Sequence, residues 1–292
     1  MIGRAFAYGA VSILNAVANG RGVTLGIDLK TASKVELHKG EGRWNLTING
    51  EDKESRLAEA SVDAALRLVG ERISNFHGTI ETQSNIPMGV GLKSSSSSSL
   101  AIIMATLQAM GQESFEPSEV LRASVASSLA SGVSITGALD DAASCLLGGV
   151  NLADNLKRKL ISSRRLPDRK KVVIRIPNEE SRRRFINIKQ VKSFRKVADR
   201  ILISSLKGEY WSSMTMNGML YSMLLGYDAS PSITALDCGA VGAGLSGTGP
   251  AICAVFDSSN TQGIDKLRDM WAKDGSAVMT ADTNNEKGGL VV

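Results

Sequence analysis

Residues Pro87 to Ser99 read P-M-G-V-G-L-K-S-S-S-S-S-S and run directly into the apolar stretch Leu100 to Met110. Pro87, Gly89 and Gly91 shape a tight loop, a block of hydroxyls follows, and a long helix begins. A loop of this kind turns backbone N–H groups toward an anion, with the positive end of the helix dipole behind them. Ser94 to Ser99 are expected to supply the helix N-cap and hydroxyls for phosphate contact. The implied chemistry is the binding of nucleotide phosphates. A flexible serine linker is the plain alternative, but linkers stay polar on both flanks. Here Leu100, Ile103, Met104 and Leu107 fall on one helical face, and the other positions are small or apolar. Nor is this a Walker A loop, because Gly91-Leu92-Lys93-Ser94 lacks the G-x-x-x-x-G-K-[ST] spacing.

Two further glycine-rich pieces accompany the loop: Gly3-Arg4-Ala5 near the amino end and Gly242 to Ala251 near the carboxyl end. In this order and at these intervals the three pieces resemble the GHMP kinase superfamily. The superfamily's central motif is P-x-x-x-G-L-G-S-S-A, and Pro87, Gly91, Leu92, Ser94 and Ser95 fall in step with it. Its third motif, G-x-x-x-[ST]-G-[AT]-G, is matched by Gly242, Ser246, Gly247, Thr248 and Gly249. In detail the chain is most similar to the archaeal type of shikimate kinase. That family's G-L-K-S-S-S, T-G-A-x-D-D-A and S-G-T-G-P-A stand here at Gly91–Ser96, Thr136–Ala142 and Ser246–Ala251. The opening Gly9-Ala10, Asn15-Ala16 and Gly20-Arg21-Gly22 also fits, so the resemblance covers nearly the whole chain.

The resemblance implies an α+β protein with the two-domain GHMP kinase fold. Its N-terminal half would be like ribosomal protein S5 domain 2, and its C-terminal half an α/β-sandwich of ferredoxin-like type. It also implies ATP- and Mg²⁺-dependent phosphorylation of shikimate to shikimate 3-phosphate, on the way to chorismate and the aromatic amino acids. Pro87, Gly89, Gly91, Leu92, Lys93, Ser94, Ser95, Ser96 and Ser97 would hold the nucleotide, with Ser95 also touching the metal. Asn15, Asp141, Ser246, Gly247, Thr248 and Gly249 would contact the substrate. Phosphoryl transfer requires positioning, charge neutralisation and a group to take or orient the hydroxyl proton. Asp140 occupies the family's catalytic aspartate position, where a carboxylate within reach accepts that proton. For Asp141, a helix N-terminal acid favoured by the dipole stands beside a substrate or metal role. Arg4 sits where many relatives have lysine, and a cation there would ease the charge on the transferring group. Arginine is a fork rather than a point charge, and an exposed arginine without contacts is the alternative.

The pattern also departs from its relatives. Several of them place an acidic residue and a histidine right after the first-motif glycine, whereas Gly9 is followed by Ala10 and Val11. That argues against a mevalonate-type acceptor. Relatives often bind Mg²⁺ through a glutamate some ten residues ahead of the aspartate, yet no acid lies between Glu119 and Asp140. Mg²⁺ would then rest on phosphates, water and a serine, since it needs few protein ligands. His38 and His77 match no motif and read as ordinary surface or structural residues.

These groups need a scaffold, and the chain is long enough to provide one. Its 292 residues suit two domains or one large α/β domain, and 43% hydrophobic with 22% charged residues is ordinary for a globular protein. Aromatics are only 4%, so the core must rest on aliphatic side chains. No signal-peptide pattern or membrane-length apolar run is present, and Cys145, Cys238 and Cys253 lack metal-like spacing. A cytoplasmic protein with buried thiols is expected, with no membrane partner. The net charge of +5 conceals a block from Leu156 to Lys207 with 18 Lys and Arg against 4 Asp and Glu. Such a block suits nucleic acid, a solvated surface or an anionic substrate. With only Phe185 and Phe194 as aromatics, it carries no RNA-binding motif. Three readings therefore stand: shikimate phosphorylation, a homoserine or pantoate kinase of the same fold, and an inert relative that binds nucleic acid or protein. The sequence carries no signal of subunit number.

Alternation in Lys34–His38 and Trp44–Ile48 around Gly40-Glu41-Gly42 predicts a hairpin. Helical spacing predicts helices over Ser55–Ile73, Pro117–Gly132, Gly137–Leu147, Lys189–Leu206, Tyr210–Leu225 and Asn260–Lys273. Strands are expected at Gly78–Ser84, Gly149–Ala153, Val172–Ile176, Ala251–Phe256 and, at an edge, Gly275–Ala281. The division falls near residue 160, giving domains 1–160 and 161–292.

Overall fold

Small and apolar residues alternate from Ile2 onward and build β1 (Ile2–Leu14), which runs antiparallel to the long β2 (Arg21–Lys39). The computed structural model describes residues 1–178 and 187–291, so Phe185 of the basic block lies outside the described residues. β5 (Phe76–Ser84) pairs with the outer half of β2 and β6 (Val150–Asp154) with its inner half, and β7 (Lys159–Arg164) pairs with β6. β3 (Trp44–Ile48) and β4 (Glu51–Asp52) complete that end, and β12 (Gly289–Leu290) closes on β1 at the other. The first sheet thus reaches Arg164, beyond residue 160, and takes back the carboxyl end.

Four helices cover one face of this sheet: α1 (Arg56–Leu68), α2 (Ser94–Ala109), α3 (Pro117–Ala130) and α4 (Leu139–Leu147). Ser55 caps α1 as its sequence predicts, its side chain accepting from the Ala58 N–H. The second sheet has the order β11 (Ala277–Asp282), β8 (Lys170–Ile176), β10 (Ile252–Asp257) and β9 (Gly242–Leu245), all antiparallel. Around it lie α5 (Ile188–Ser193), α6 (Arg195–Leu206), α7 (Tyr210–Leu225), α8 (Ser230–Asp237) and α9 (Thr261–Lys273). The two halves are not independent cores. Val11, Leu14 and Leu25 from the first sheet share one apolar cluster with Ile174, Tyr221 and Phe256 from the second half.

Three expectations change. The hairpin is not formed: β5 enters between β2 and β3, so His38 pairs with His77, and β3 runs parallel to β5. Alternation specifies a half-buried strand but not its neighbour, and the nine-residue β2–β5 ladder wins. The serines do not cap α2. The helix starts at Ser94 with Lys93 in the cap position and no side-chain cap, so Ser94–Ser99 form its first turns. The helix expected over 189–206 is broken at Phe194 into α5 and α6.

Within the second half, α7 packs on β9 because Gly218 and Gly244 let the two backbones touch. A Cβ on Gly218 would overlap the main chain of Gly244 and Leu245. Gly218→Ala is therefore expected to cost about 1–3 kcal/mol through overpacking, read as a lower urea midpoint. An unchanged midpoint would contradict this close approach.

Candidate active site

Between the halves lies a cavity of about 1060 Å³, large for a single small ligand and roomy enough for two. The loop Gly89–Ser96 and the first turn of α4 form one wall. Asn15, Asn19, Arg21 and Asn155 form the floor, and Gly247–Gly249 with Lys192, Arg195 and Asp199 come from the second half. Both helices that open on the cavity begin alike. Lys93 before α2 and Ala138 before α4 adopt left-handed backbone (φ 64° and 50°), and neither helix has a side-chain cap. Their first N–H groups are left without intrahelical partners, which is the arrangement that receives anions.

Asp140 and Asp141 lie in the first turn of α4, where the dipole favours negative charge. Asp140 is 4% exposed. Asn155 holds it from both ends: its Nδ2 donates to Asp140 Oδ1 at 2.8 Å, and its Oδ1 accepts from the Asp140 N–H at 3.2 Å. Thr24 Oγ1 donates to the Asp140 carbonyl at 2.6 Å. Gly22 on β2 leaves the room, since a Cβ there would overlap the carboxylate. Lys93 Nζ lies 3.0 Å from Asp141 Oδ1 and donates to Ser12 Oγ at 2.9 Å. Ser12 Oγ also accepts from the Gly247 N–H (2.9 Å), and its own N–H donates to Ser246 Oγ (3.0 Å). Ser246 Oγ donates in turn to the Gly91 carbonyl at 2.8 Å. One network thus joins the loop, β1, α4 and the carboxyl-terminal glycine turn.

A model of the GHMP kinase N-terminal domain matches residues 57–149. The shikimate kinase of Methanothrix thermoacetophila is 36% identical over 98% of this chain and 95% of its own length. This chain belongs to the GHMP kinase superfamily, in its archaeal shikimate kinase family. The shikimate kinase of Pyrococcus furiosus, 33% identical over 93% of this chain and 96% of its own, is a second such relative. The fold agrees. Methanococcus jannaschii mevalonate kinase superposes with a TM-score of 0.72 at 16% identity, covering 98% of each chain. Homoserine kinase from Cytophaga hutchinsonii gives 0.71 at 20% identity, covering 99% of this chain and 97% of its own.

In this GHMP kinase the cavity gathers most of the expected residues: Asn15, Gly89, Gly91, Lys93–Ser96, Asp140, Asp141 and Gly247–Gly249. Pro87, Leu92, Ser97 and Ser246 are not on its wall. Leu92 is core, Ser97 Oγ donates to the Ala7 carbonyl, and Ser246 ties the loop to the glycine turn. Arg4 is a correction. It is exposed on β1, its backbone N–H meeting the Gln108 side chain, and it is absent from the cavity; the cation at the α4 acids is Lys93, paired with Asp141.

Ser12, Thr24 and Asn155 were not singled out from sequence, because each acts through a neighbour rather than within a spaced motif; Gly22 stood in the Gly20-Arg21-Gly22 match without this role. Within the basic block, Arg165, Arg169, Lys170, Lys171 and Arg175 form ion pairs with acids of other segments. Lys192 and Arg195 line the cavity without an ion pair among the described residues. Among the described residues no three His, Cys, Asp or Glu side chains cluster as a metal site, and no helix is long and apolar enough to cross a membrane. The three cysteines are free and buried, as expected.

Burial pushes the Asp140 carboxyl up to about 7 and the Asp141 charge adds to it, while Lys93 and Asn155 act the other way. The folded protein therefore holds the Asp140 proton more tightly than the unfolded chain does. This contribution is complete below the ordinary carboxylate range and is lost as pH rises toward and through 7. Asp140→Asn is expected to melt at or above the wild type at pH 8, with the advantage shrinking at pH 5. Each kcal/mol reads as about 2–4 °C in Tm, and a variant that melts below the wild type at pH 8 would refute the sign.

Proposed function

We infer that this GHMP kinase transfers the γ-phosphoryl group of ATP to a hydroxyl of shikimate, giving shikimate 3-phosphate and ADP. The observation that carries the reading is a buried carboxylate facing an uncapped, hydroxyl-rich helix start across one cavity. Its relatives' names supply the acceptor. The N–H groups from Gly89 to Ser96 hold the nucleotide phosphates. Asn15 and Gly247–Gly249 shape the acceptor's space beside Asp141. Asp140 takes the acceptor's proton as its oxygen forms the new bond to phosphorus and the bond to the ADP oxygen breaks. A base with a pKa near neutrality suits that task.

Mg²⁺ bound along with the nucleotide would neutralise phosphate charge. The exposed Ser95 hydroxyl on the cavity wall fits a single protein ligand, which is enough for this ion. The acceptor's carboxylate needs a cation that the nucleotide does not occupy. Lys192 and Arg195 meet that need, both lining the cavity without an ion pair among the described residues. We place the enzyme in the cytoplasm, where a reducing environment suits three free thiols.

ADP release with Mg·ATP against shikimate, homoserine, pantoate and mevalonate tests the reading. Turnover is expected with shikimate alone. Turnover with another acceptor would discard the acceptor and keep the chemistry, and salt-sensitive RNA binding without turnover would discard both. Asp140→Asn should lower kcat by about 10²–10⁴, and wild-type kcat should rise with pH toward a plateau above about 7 as Asp140 ionises. Lys192→Met with Arg195→Met should raise KM for shikimate by about tenfold or more, with KM for ATP unchanged. Equal losses for both substrates would remove the carboxylate assignment.

A further inference from the structure

Asn155 follows β6 and is 2% exposed, yet it belongs to the cavity wall. Its main chain is tied on both sides. The N–H donates to the Gly20 carbonyl at 2.8 Å, and the carbonyl accepts from the Arg158 N–H at 3.3 Å. Its carboxamide is spent on α4 and the residues leading into it. Nδ2 donates to Asp140 Oδ1 at 2.8 Å and to Thr136 Oγ1 at 3.3 Å, and Oδ1 accepts from the Asp140 N–H at 3.2 Å. The two ends are not interchangeable. A peptide N–H only donates, so the amide oxygen must face it, and the amino group is left for the carboxylate.

That contact holds one oxygen of Asp140 and spares the other. Oδ2 stands against Gly22, and no side chain among the described residues donates to it. An oxygen that already receives an N–H is the poorer place for a proton, so Asp140 gains its proton on Oδ2. The charges around the carboxyl do not do this work. Asp141 and Cys145 share α4 with it, and Lys93 faces it from the entry to α2. Burial holds the Cys145 thiol well above its ordinary range and so neutral. Beside Gly22 and Asn155, Arg21 pairs with Asp154 and Asp199, while Lys192 and Arg195 line the walls of the second half. A cation in place of Asn155 would pair with the carboxylate and hold its charge fast, and an acid would repel it. A neutral amide favours the charge without cancelling it.

We propose that Asn155 is a positioning residue for phosphoryl transfer: its carboxamide holds Oδ1 of Asp140 and favours the charged carboxylate, leaving Oδ2 to take the acceptor's proton. This rests on the kinase reading. The acceptor's O–H bond breaks and its proton passes to Asp140. Its oxygen bonds to phosphorus as the bond to the ADP oxygen breaks, and Asn155 exchanges no proton. The Asn155 hydrogen bond acts against the burial that raises the Asp140 carboxyl. Removing it therefore raises that carboxyl further, and activity starts at a higher pH.

The pH dependence of kcat and the KM of each substrate, measured on the full chain, separate this role from packing. Asn155→Leu keeps the shape without the hydrogen bonds. It should lower kcat by about tenfold or more and move the acid limb of the kcat profile up by about one pH unit or more. KM for ATP and for shikimate should stay within about twofold. Asn155→Asp keeps the acceptor for the Asp140 N–H, loses the donor and adds a like charge, so its limb should move higher still. An unmoved limb, or losses spread equally over kcat and both KM values, overturns the proposal. Should the leucine variant fold poorly, the isosteric aspartate variant carries the same comparison. NMR titration of labelled aspartate carboxyls, with the Asp140 signal identified by its absence in Asp140→Asn, reads the same shift without turnover. A wild type that phosphorylates no shikimate would fail the acceptor reading, and the Asp140 titration would still decide Asn155.

Discussion

The site hangs on one buried ammonium that pairs with Asp141 and stands near its neighbour Asp140. Burying a charge is costly unless it is paired and hydrogen-bonded, and Lys93, Asp140 and Asp141 together hold one positive charge against at most two negative ones. The balance is met by the Asp140 proton, which burial and Asp141 retain up to near neutrality. The trio is therefore poised rather than locked: Asp140 gains or loses a proton at modest cost near neutral pH, which suits the base role proposed for it. Because Lys93 also bonds Ser12, and Ser12 bonds Gly247, the same ammonium fixes the distance between the phosphate loop and the glycine turn of the second half.

That connection explains why the two sheets share an apolar core instead of standing apart as mobile domains. α7 lies on β9 through the Gly218–Gly244 crossing and reaches into the first half. Its Asn217 Oδ1 accepts from the Asn15 N–H, and its Tyr221 hydroxyl donates to the Asn15 carbonyl. Asn15 lines the cavity, so the floor of the site is set by a helix of the opposite half. Rigid placement of reacting groups is worth several kcal/mol in such chemistry, and this cross-bracing provides it.

Much of this was legible in the sequence. The loop and the S-G-T-G turn stood out because backbone approach and helix starts demand particular residues at fixed spacing, and the D-D pair was marked by the family resemblance. Long amphipathic helices such as Asn260–Lys273 were legible for the same reason, with Asn260 capping through the Gly263 N–H. What stayed hidden was partner choice. Alternation in β3 does not say whether β2 or β5 lies beside it, and a serine run reads as capping until the structure shows Ser97 and Ser99 spent inside the core. Asn155 was invisible, and Gly22 visible only as a motif glycine, because their task is to fit around Asp140, from 15 residues after it in one case and from β2 in the other. Arg4 misled because its position relative to a motif says nothing of which face of β1 its side chain takes.

The two helix starts divide the work between them. Both are entered through a left-handed, non-glycine residue and both lack a side-chain cap, an arrangement that costs folding free energy twice. At α2 the orphan N–H groups and positive dipole end face a space with hydroxyls around it, so an entering anion satisfies what the fold left open. At α4 the same dipole end already carries Asp140 and Asp141, so it supports resident negative charge. On the proposed reading, one helix start receives phosphate while the other keeps a carboxylate partly charged beside it. Two like-signed groups would repel at that distance in a low dielectric, which is why a cation must stand between them. Lys93, at the entry to one helix and paired with the acid of the other, occupies that place.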